Sequence, residues 1–261
     1  MSLPRLALPP GQVHVWMAAC DQDEPRLLQR YRAEILNRRE LEQEARFYFA
    51  HDRQQYLVTR ALTRCVLSRY SSLGPADWHF EVTQHGRPTI ANPEKDDQGL
   101  SFNISHSGNL VLVAVARDVC LGVDTESEVR GEDMVAIGQS SFHAREIEEL
   151  DTLPPNRRRQ GYLACWTLKE AYVKAIGLGL SMALDSFSFA MKTGRRIEMH
   201  DAATGEAATG WHFTLFQPCA GQVATICCQQ HEGRPPQLSF RRMCPLVFEQ
   251  ACEVAVLARS D

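Results

Sequence analysis

The pattern of apolar and polar positions changes period several times along the chain. From Asn37 to Tyr70 it is helical, in one piece or two. Within YLVTRALTRCVLSRY, Leu57, Ala61, Leu62, Cys65, Val66 and Tyr70 recur at helical spacing, while Arg53, Arg60, Arg64 and Arg69 take other faces. WHFEV then alternates as a short strand, and HGRP, His85 to Pro88, is a turn signal. The polar segment NISHSGN reads as a loop leading into an aliphatic strand, Leu110 to Ala116, and the run LVLVAVARDVCL closes on GVDTE, Gly122 to Glu126. A second helix is predicted from Tyr162 to Ile176, followed by GLG and by the strand-like segments SFSFAM, RIEM, WHFTLF and VATICCQ.

The order helix, then strands, thus occurs twice, and WHF recurs in WHFEV and WHFTLF. The expectation is an α+β (α/β) protein of two pseudo-symmetric halves, each a small antiparallel sheet packed with helices, spanning residues 1–122 and 123–261. The charged, glycine-containing segment Ser127 to Gly138 is the expected weak boundary. A ligand is expected in the cleft between the halves.

Composition narrows the class. A chain of 261 residues with 44% apolar content can form a sizeable core. Its longest apolar stretch falls far short of the ~20 residues that cross a bilayer, and the proline-broken N-terminal segment lacks a signal-peptide core. Nine cysteines, an odd number without a C-x-x-C pair, read as small buried hydrophobes in a reducing compartment. A cytoplasmic protein without a membrane partner is expected. The net charge of −4 argues against a nucleic-acid partner.

Candidate chemistry centres on two short stretches. On a strand, residues two apart point the same way, so Asp124 and Glu126 share a face. Two carboxylates so placed resist joint ionisation unless a cation lies between them, and hard oxygen donors suit Mg²⁺. In WTLKEAYVK, Glu170 and Lys174 are four apart on a helix and therefore neighbours. Glu170 can supply a third carboxylate, and Lys174 can meet a phosphate. Each motif alone has an ordinary reading, a solvated strand end or a surface ion pair of about 0.3–0.5 kcal/mol. Two further segments weigh against coincidence. Arg87 is a cationic finger in a Gly-Pro turn, and FNISHSGN offers hydroxyls, an imidazole and main-chain N–H groups to phosphate oxygens. His106 by itself is an ordinary structural histidine.

In order and spacing, HGRP, FNISHSG, GVDTE, WTLKEAYVKAIGLGL and LDSFSF, with FYFAHDRQQYLVTRALTR upstream, resemble the Sfp-type 4′-phosphopantetheinyl transferases over roughly residues 40 to 190. The resemblance implies that family's fold, with coenzyme A as substrate. It implies that Asp124, Glu126 and Glu170 bind Mg²⁺, with Mn²⁺ as the alternative ion, together with the coenzyme A pyrophosphate. Asp124 and Lys174 would contact that group, with Lys169 nearby, while Arg87, Ser105 and His106 would hold the nucleotide end and its 3′-phosphate. Some members carry basic residues seven and four positions before the phenylalanine aligned with Phe47. Here those positions hold Glu40 and Gln43, and Arg39, Arg46 and Arg53 are the neighbouring cations.

The implied reaction moves 4′-phosphopantetheine onto a serine of an apo acyl, peptidyl or aryl carrier protein, with release of 3′,5′-ADP. Glu170 is the candidate base, directly or through a metal-bound water, and Lys174 the group that stabilises the departing phosphate. RGEDM (Arg130 to Met134), NRRRQ (Asn156 to Gln160) and apolar residues between Met134 and Phe142 are candidate carrier contacts. Two in-chain halves complete a site in a monomer. The rival readings are another metal-dependent phosphotransferase and a non-catalytic coenzyme A sensor. No P-loop, kinase loop or H-E-x-x-H motif is present.

Overall fold

The computed structural model describes residues 4–21, 24–92, 99–192 and 195–261, without the side chains of 130–133, 180 and 192. The chain forms two compact units, residues 1–83, 88–118 and 237–253 in one and 84–87, 119–236 and 254–261 in the other.

The first unit contains β1 (Gln12–Ala19), α1 (Pro25–Glu34), α2 (Arg38–Glu44), α3 (Ala50–Leu67), β2 (Phe80–Val82), β3 (Pro88–Ile90), β4 (Leu100–Ser107) and β5 (Leu110–Arg117). The second contains β6 (Leu121–Ser127), α4 (Gly131–Ser141), α5 (Ala144–Asp151), α6 (Pro155–Ile176), β7 (Phe187–Lys192), β8 (Arg196–Asp201), β9 (Trp211–Gln217) and β10 (Gln222–Gln229). Of the last three strands, β11 (Gln237–Cys244) and β12 (Phe248–Ala251) return to the first sheet, and β13 (Ala255–Arg259) joins the second.

The predicted mixed α and β architecture is present, and each unit repeats one plan. A strand leads into three helices and then four strands. The leading strand pairs antiparallel with the last (β1 with β5, β6 with β10), and the last with its predecessor (β5 with β4, β10 with β9). The sheets are not purely antiparallel, because β1 pairs parallel with β11 and β13 parallel with β8. By this correspondence WHFEV, on β2 of a separate two-stranded sheet, matches β7 rather than WHFTLF on β9. The shared tripeptide is therefore not a mark of equivalent positions. The chain passes between units at 118/119, in the turn where Asp118 has φ 54°, and not in the segment 127–138. The aliphatic run is accordingly two strands, β5 and β6, which belong to different sheets. FNISHSGN is mostly strand β4, which pairs with β5 at the edge of the sheet, so only Gly108 and Asn109 remain as the turn.

The same buried ion pair recurs in both units. Asn37 accepts a hydrogen bond from the Glu40 N–H while Glu40 accepts from the Asn37 N–H, which caps α2. Glu146 likewise accepts from the His143 N–H at the start of α5. Each capping glutamate also receives a cation from the long helix: Arg64 at 2.9 Å on Glu40 and Lys169 at 2.8 Å on Glu146. Arg64 donates to the carbonyls of Pro75 and Trp78 and lies 5.2 Å from the Phe80 ring centroid. Lys169 donates to the carbonyls of Leu184 and Phe187 and lies 4.4 Å from the Phe187 ring centroid. Phe80 opens β2 and Phe187 opens β7, so each cation ties the long helix to the preceding helix and to the next strand.

Both members of the Lys169 pair are inaccessible to water, so removing one strands a buried charge. Lys169→Met should cost about 3–5 kcal/mol in chemical denaturation, and pairing it with Glu146→Gln, which removes the charge and keeps an acceptor for the His143 and Phe189 N–H groups, should recover part of that loss. A folded Lys169→Met protein of unchanged stability, with a raised KM for coenzyme A, would instead make Lys169 a substrate contact.

Candidate active site

The site is built where β6 crosses α6. A methyl group at Gly122 would meet the Ala171 carbonyl oxygen at 2.0 Å and the Ala175 nitrogen at 2.6 Å, so strand and helix backbones touch there. Glycine is required for this approach, because any side chain would force the two elements apart. Alternation along β6 puts Asp124 and Glu126 on the same face as Gly122, toward α6. Thr225, cross-strand from Asp124, touches Thr167 of α6 through hydroxyls 3.0 Å apart. Both carboxylates are buried, Asp124 4% and Glu126 8% exposed.

From α6, Lys174 donates to Asp124 Oδ1 at 2.7 Å and to the Val123 carbonyl at 3.2 Å. The Asp-x-Glu and Glu-x-x-x-Lys motifs are thus brought together. Glu170 lies one helical turn before Lys174 and is half-buried. Burial pushes its carboxyl above the usual carboxylate range; the charges of Asp124 and Glu126 push the same way, and Lys174 opposes them. The Glu170 carboxyl therefore feels the charge of both others.

Among the described residues, no group of three His, Cys, Asp or Glu side chains stands assembled as a metal site. The donor chemistry nevertheless fits a hard divalent cation. Three crowded, largely desolvated carboxylates are a costly arrangement that such an ion relieves, and oxygen donors are what Mg²⁺ prefers. Beside Glu170 opens a pocket of about 350 Å³. Ser140, Ser141, Trp166, Met182, Ala183 and Leu184 are among its lining residues, mixing apolar surface with hydroxyls.

The other expected residues lie on other elements. Arg87 belongs to the second unit, where its guanidinium donates to the carbonyls of Lys174, Ala175 and Leu121. Ser105 and His106 lie on β4 of the first unit and point to opposite faces, Ser105 buried and His106 exposed. Lys169 is a correction. It faces the other side of α6 and is buried against Glu146, away from Lys174. Glu40, at a position where some family members are basic, is held by Arg64 and caps α2. Met134 and Phe142 are core residues, whereas Val135 and Ile137 between them are half-buried and Ala136 is exposed, and the side chains of Arg130, Glu132 and Asp133 lie outside the described residues. In NRRRQ, Arg157 and Arg159 are exposed, and Arg158 donates to the Asp151 carbonyl. Sequence reasoning missed Gly122 and Glu146. A glycine within an aliphatic strand signals Gly122, whereas Glu146 carries no signal beyond its capping position.

A model described as 4′-phosphopantetheinyl transferase, N-terminal, matches residues 26–118, and a model of the 4′-phosphopantetheinyl transferase superfamily matches residues 120–227. The junction coincides with the passage between units. The chain is 34% identical over 178 residues to the 4′-phosphopantetheinyl transferase HetI of a Nostoc species, covering 68% of this chain and 74% of HetI. It is 28% identical over 252 residues to a phosphopantetheinyl transferase of a Thraustochytrium species, covering 90% and 86%. It is 33% identical over 143 residues to the 4′-phosphopantetheinyl transferase Sfp of Bacillus subtilis, covering 55% and 61%. The chain belongs to the 4′-phosphopantetheinyl transferase superfamily. No helix among its described residues is long and apolar enough to cross a membrane.

Two substitutions test this geometry. Gly122→Ala should destabilise the protein by about 1–3 kcal/mol through overpacking and should abolish any thermal stabilisation by Mg²⁺. Glu170→Gln should do the opposite to the metal-free protein. At neutral pH in a chelator its Tm should lie above that of the unmodified chain, because one of three crowded charges is gone. With Mg²⁺ the order should reverse. A Glu170→Gln protein that melts lower than the unmodified chain in chelator would remove the argument from charge crowding.

Proposed function

We infer that this chain transfers the 4′-phosphopantetheine group of coenzyme A to a serine of an apo carrier protein and releases 3′,5′-ADP. The observation that carries the reading is the meeting of Asp124, Glu126, Glu170 and Lys174 on the facing surfaces of β6 and α6. Asp124, Glu126 and Glu170 would hold Mg²⁺ or Mn²⁺. When bound, that ion neutralises charge on the pyrophosphate.

The chain's own residues account for the rest. The carrier serine is a weak nucleophile and needs a base within hydrogen-bond reach. Glu170 is that base. It lines the 350 Å³ pocket, one helical turn from Lys174. The serine oxygen bonds to the β-phosphorus, its proton passes to Glu170, and the bond from that phosphorus to the oxygen bridging to the α-phosphate breaks. Lys174, about a quarter exposed, turns from Asp124 toward the departing phosphate and compensates its charge. The pocket takes the pantetheine arm, a neutral diamide that suits its mixture of hydroxyls and apolar surface. Arg157 and Arg159, exposed at the start of α6, meet the acidic surface of the carrier. Ser105 and His106 keep the nucleotide role that the resemblance implies for them.

The test is the intact mass of an apo acyl carrier protein after incubation with this chain, coenzyme A and Mg²⁺. A gain of one phosphopantetheine group, absent in chelator and absent with Glu170→Gln, is expected. Coenzyme A binding without any mass gain on acyl, peptidyl or aryl carriers would make the chain a sensor instead.

A further inference from the structure

The C-terminal turn of α6 leaves carbonyl oxygens that no helical N–H can reach. Gly177, in the left-handed region, returns its N–H to Val173. The next two carbonyls, Lys174 and Ala175, accept from Arg87 Nη1 at 2.9 and 3.3 Å. Arg87 Nη2 reaches the Leu121 carbonyl at 3.1 Å, at the entry of β6. One planar guanidinium thus joins the last turn of the helix that carries Glu170 and Lys174 to the first residue of the strand that carries Asp124 and Glu126.

The turn that presents Arg87 is itself seated on this corner. Gly86 has φ +84°, and a methyl group at Gly179 would stand 3.4 Å from the His85 carbonyl oxygen. Gly122, two residues before Asp124, lies against Ala171 and Ala175 inside the same corner. Rotation or translation of α6 along β6 would break the Arg87 bonds.

We propose that Arg87 is a positioning residue that clamps the entry of β6 to the C-terminal turn of α6 and so sets how Asp124 and Glu126 face Glu170. This assigns it a different role from the nucleotide contact that family resemblance implies. It rests on the reading of these carboxylates as the metal-binding and transfer site. Three main-chain acceptors shared between two terminal nitrogens suit a guanidinium fork and not an ammonium, which presents a single centre of charge. A phosphate, by contrast, accepts either cation.

Arg87→Lys is therefore the deciding variant. Mn²⁺ binding to the protein without coenzyme A, followed by electron paramagnetic resonance, should weaken about 10- to 100-fold, as when an outer partner of a metal ligand is lost. In carrier-transfer assays kcat should fall about 10- to 100-fold, while KM stays within about threefold. The loss should be equal for coenzyme A and 3′-dephospho-coenzyme A. Gly179→Ala, which puts a side chain on backbone at φ +57° in contact with the His85–Arg87 turn without changing any charge, should weaken Mn²⁺ binding in the same direction. It decides the matter if Arg87→Lys does not fold. Two results overturn the proposal. One is unchanged Mn²⁺ affinity and kcat in the folded variants. The other is a KM raised for coenzyme A but not for its dephospho form. Failure of the unmodified chain to transfer anything to a carrier would refute the transferase reading, and the Mn²⁺ measurement would still decide the role of Arg87.

Discussion

Strand β6 lies against helix α6 at a distance only a glycine permits, and the chemistry of the site follows from that contact. With Gly122 packed on Ala171, the alternation of the strand turns Asp124 and Glu126 toward the helix. The period of the helix then brings Glu170 and Lys174 to meet them. A wider spacing would leave four ordinary surface charges. At this spacing two carboxylates are buried and a third is half-buried, and burial and mutual repulsion hold the Glu170 carboxyl in its less acidic state. Like-charge crowding of this kind is costly in a folded protein, and it is the form expected of a place where a cation and a polyanionic substrate arrive together.

The corner is precise because α6 is anchored on its other face. Lys169 is inaccessible to water, and it binds a glutamate already engaged in capping α5 and two carbonyls ahead of β7. Arg64 makes the corresponding set of bonds from α3. A buried pair of this type contributes little net stability relative to apolar residues of the same shape. It does fix rotation and register, since each cation is held at once by a carboxylate and by main-chain carbonyls. Among the described residues, the second unit places carboxylates on the opposite side of its helix, so the two units share a scaffold and differ in what it carries. The neighbours Lys169 and Glu170 show this division of labour: the lysine faces the core and the glutamate faces the site.

The mixed character of the sheets reflects the same economy. The repeated plan alone would leave the β1 edge of the first sheet open. The C-terminal segment covers it with β11, and β12 follows, before the chain returns to insert β13 beside β9 in the second sheet. Exposed edges invite pairing with other chains, and a paired edge avoids that hazard.

Much of this protein is legible in its sequence. Helical spacing from Asn37 to Tyr70 and from Tyr162 to Ile176, strand patterns, and the motifs around Asp124, Glu126, Glu170 and Lys174 follow from short-range periodicity. That information survives in one dimension, because residues two apart on a strand, or four apart on a helix, are neighbours wherever the element packs. The family resemblance lies in the order of those motifs. What the sequence leaves undecided is which element touches which. The division of LVLVAVARDVCLGVDTE between two sheets, the return of β11 to the first unit, and the lack of equivalence between the two WHF segments all depend on pairing between distant strands. Lys169 and Arg87 belong to the same class. A cation that meets a phosphate and one that meets a capping glutamate or a helix-end carbonyl read alike along the chain. Their acceptors are brought close only by the tertiary fold, from 23 positions away for Lys169 and 87 for Arg87.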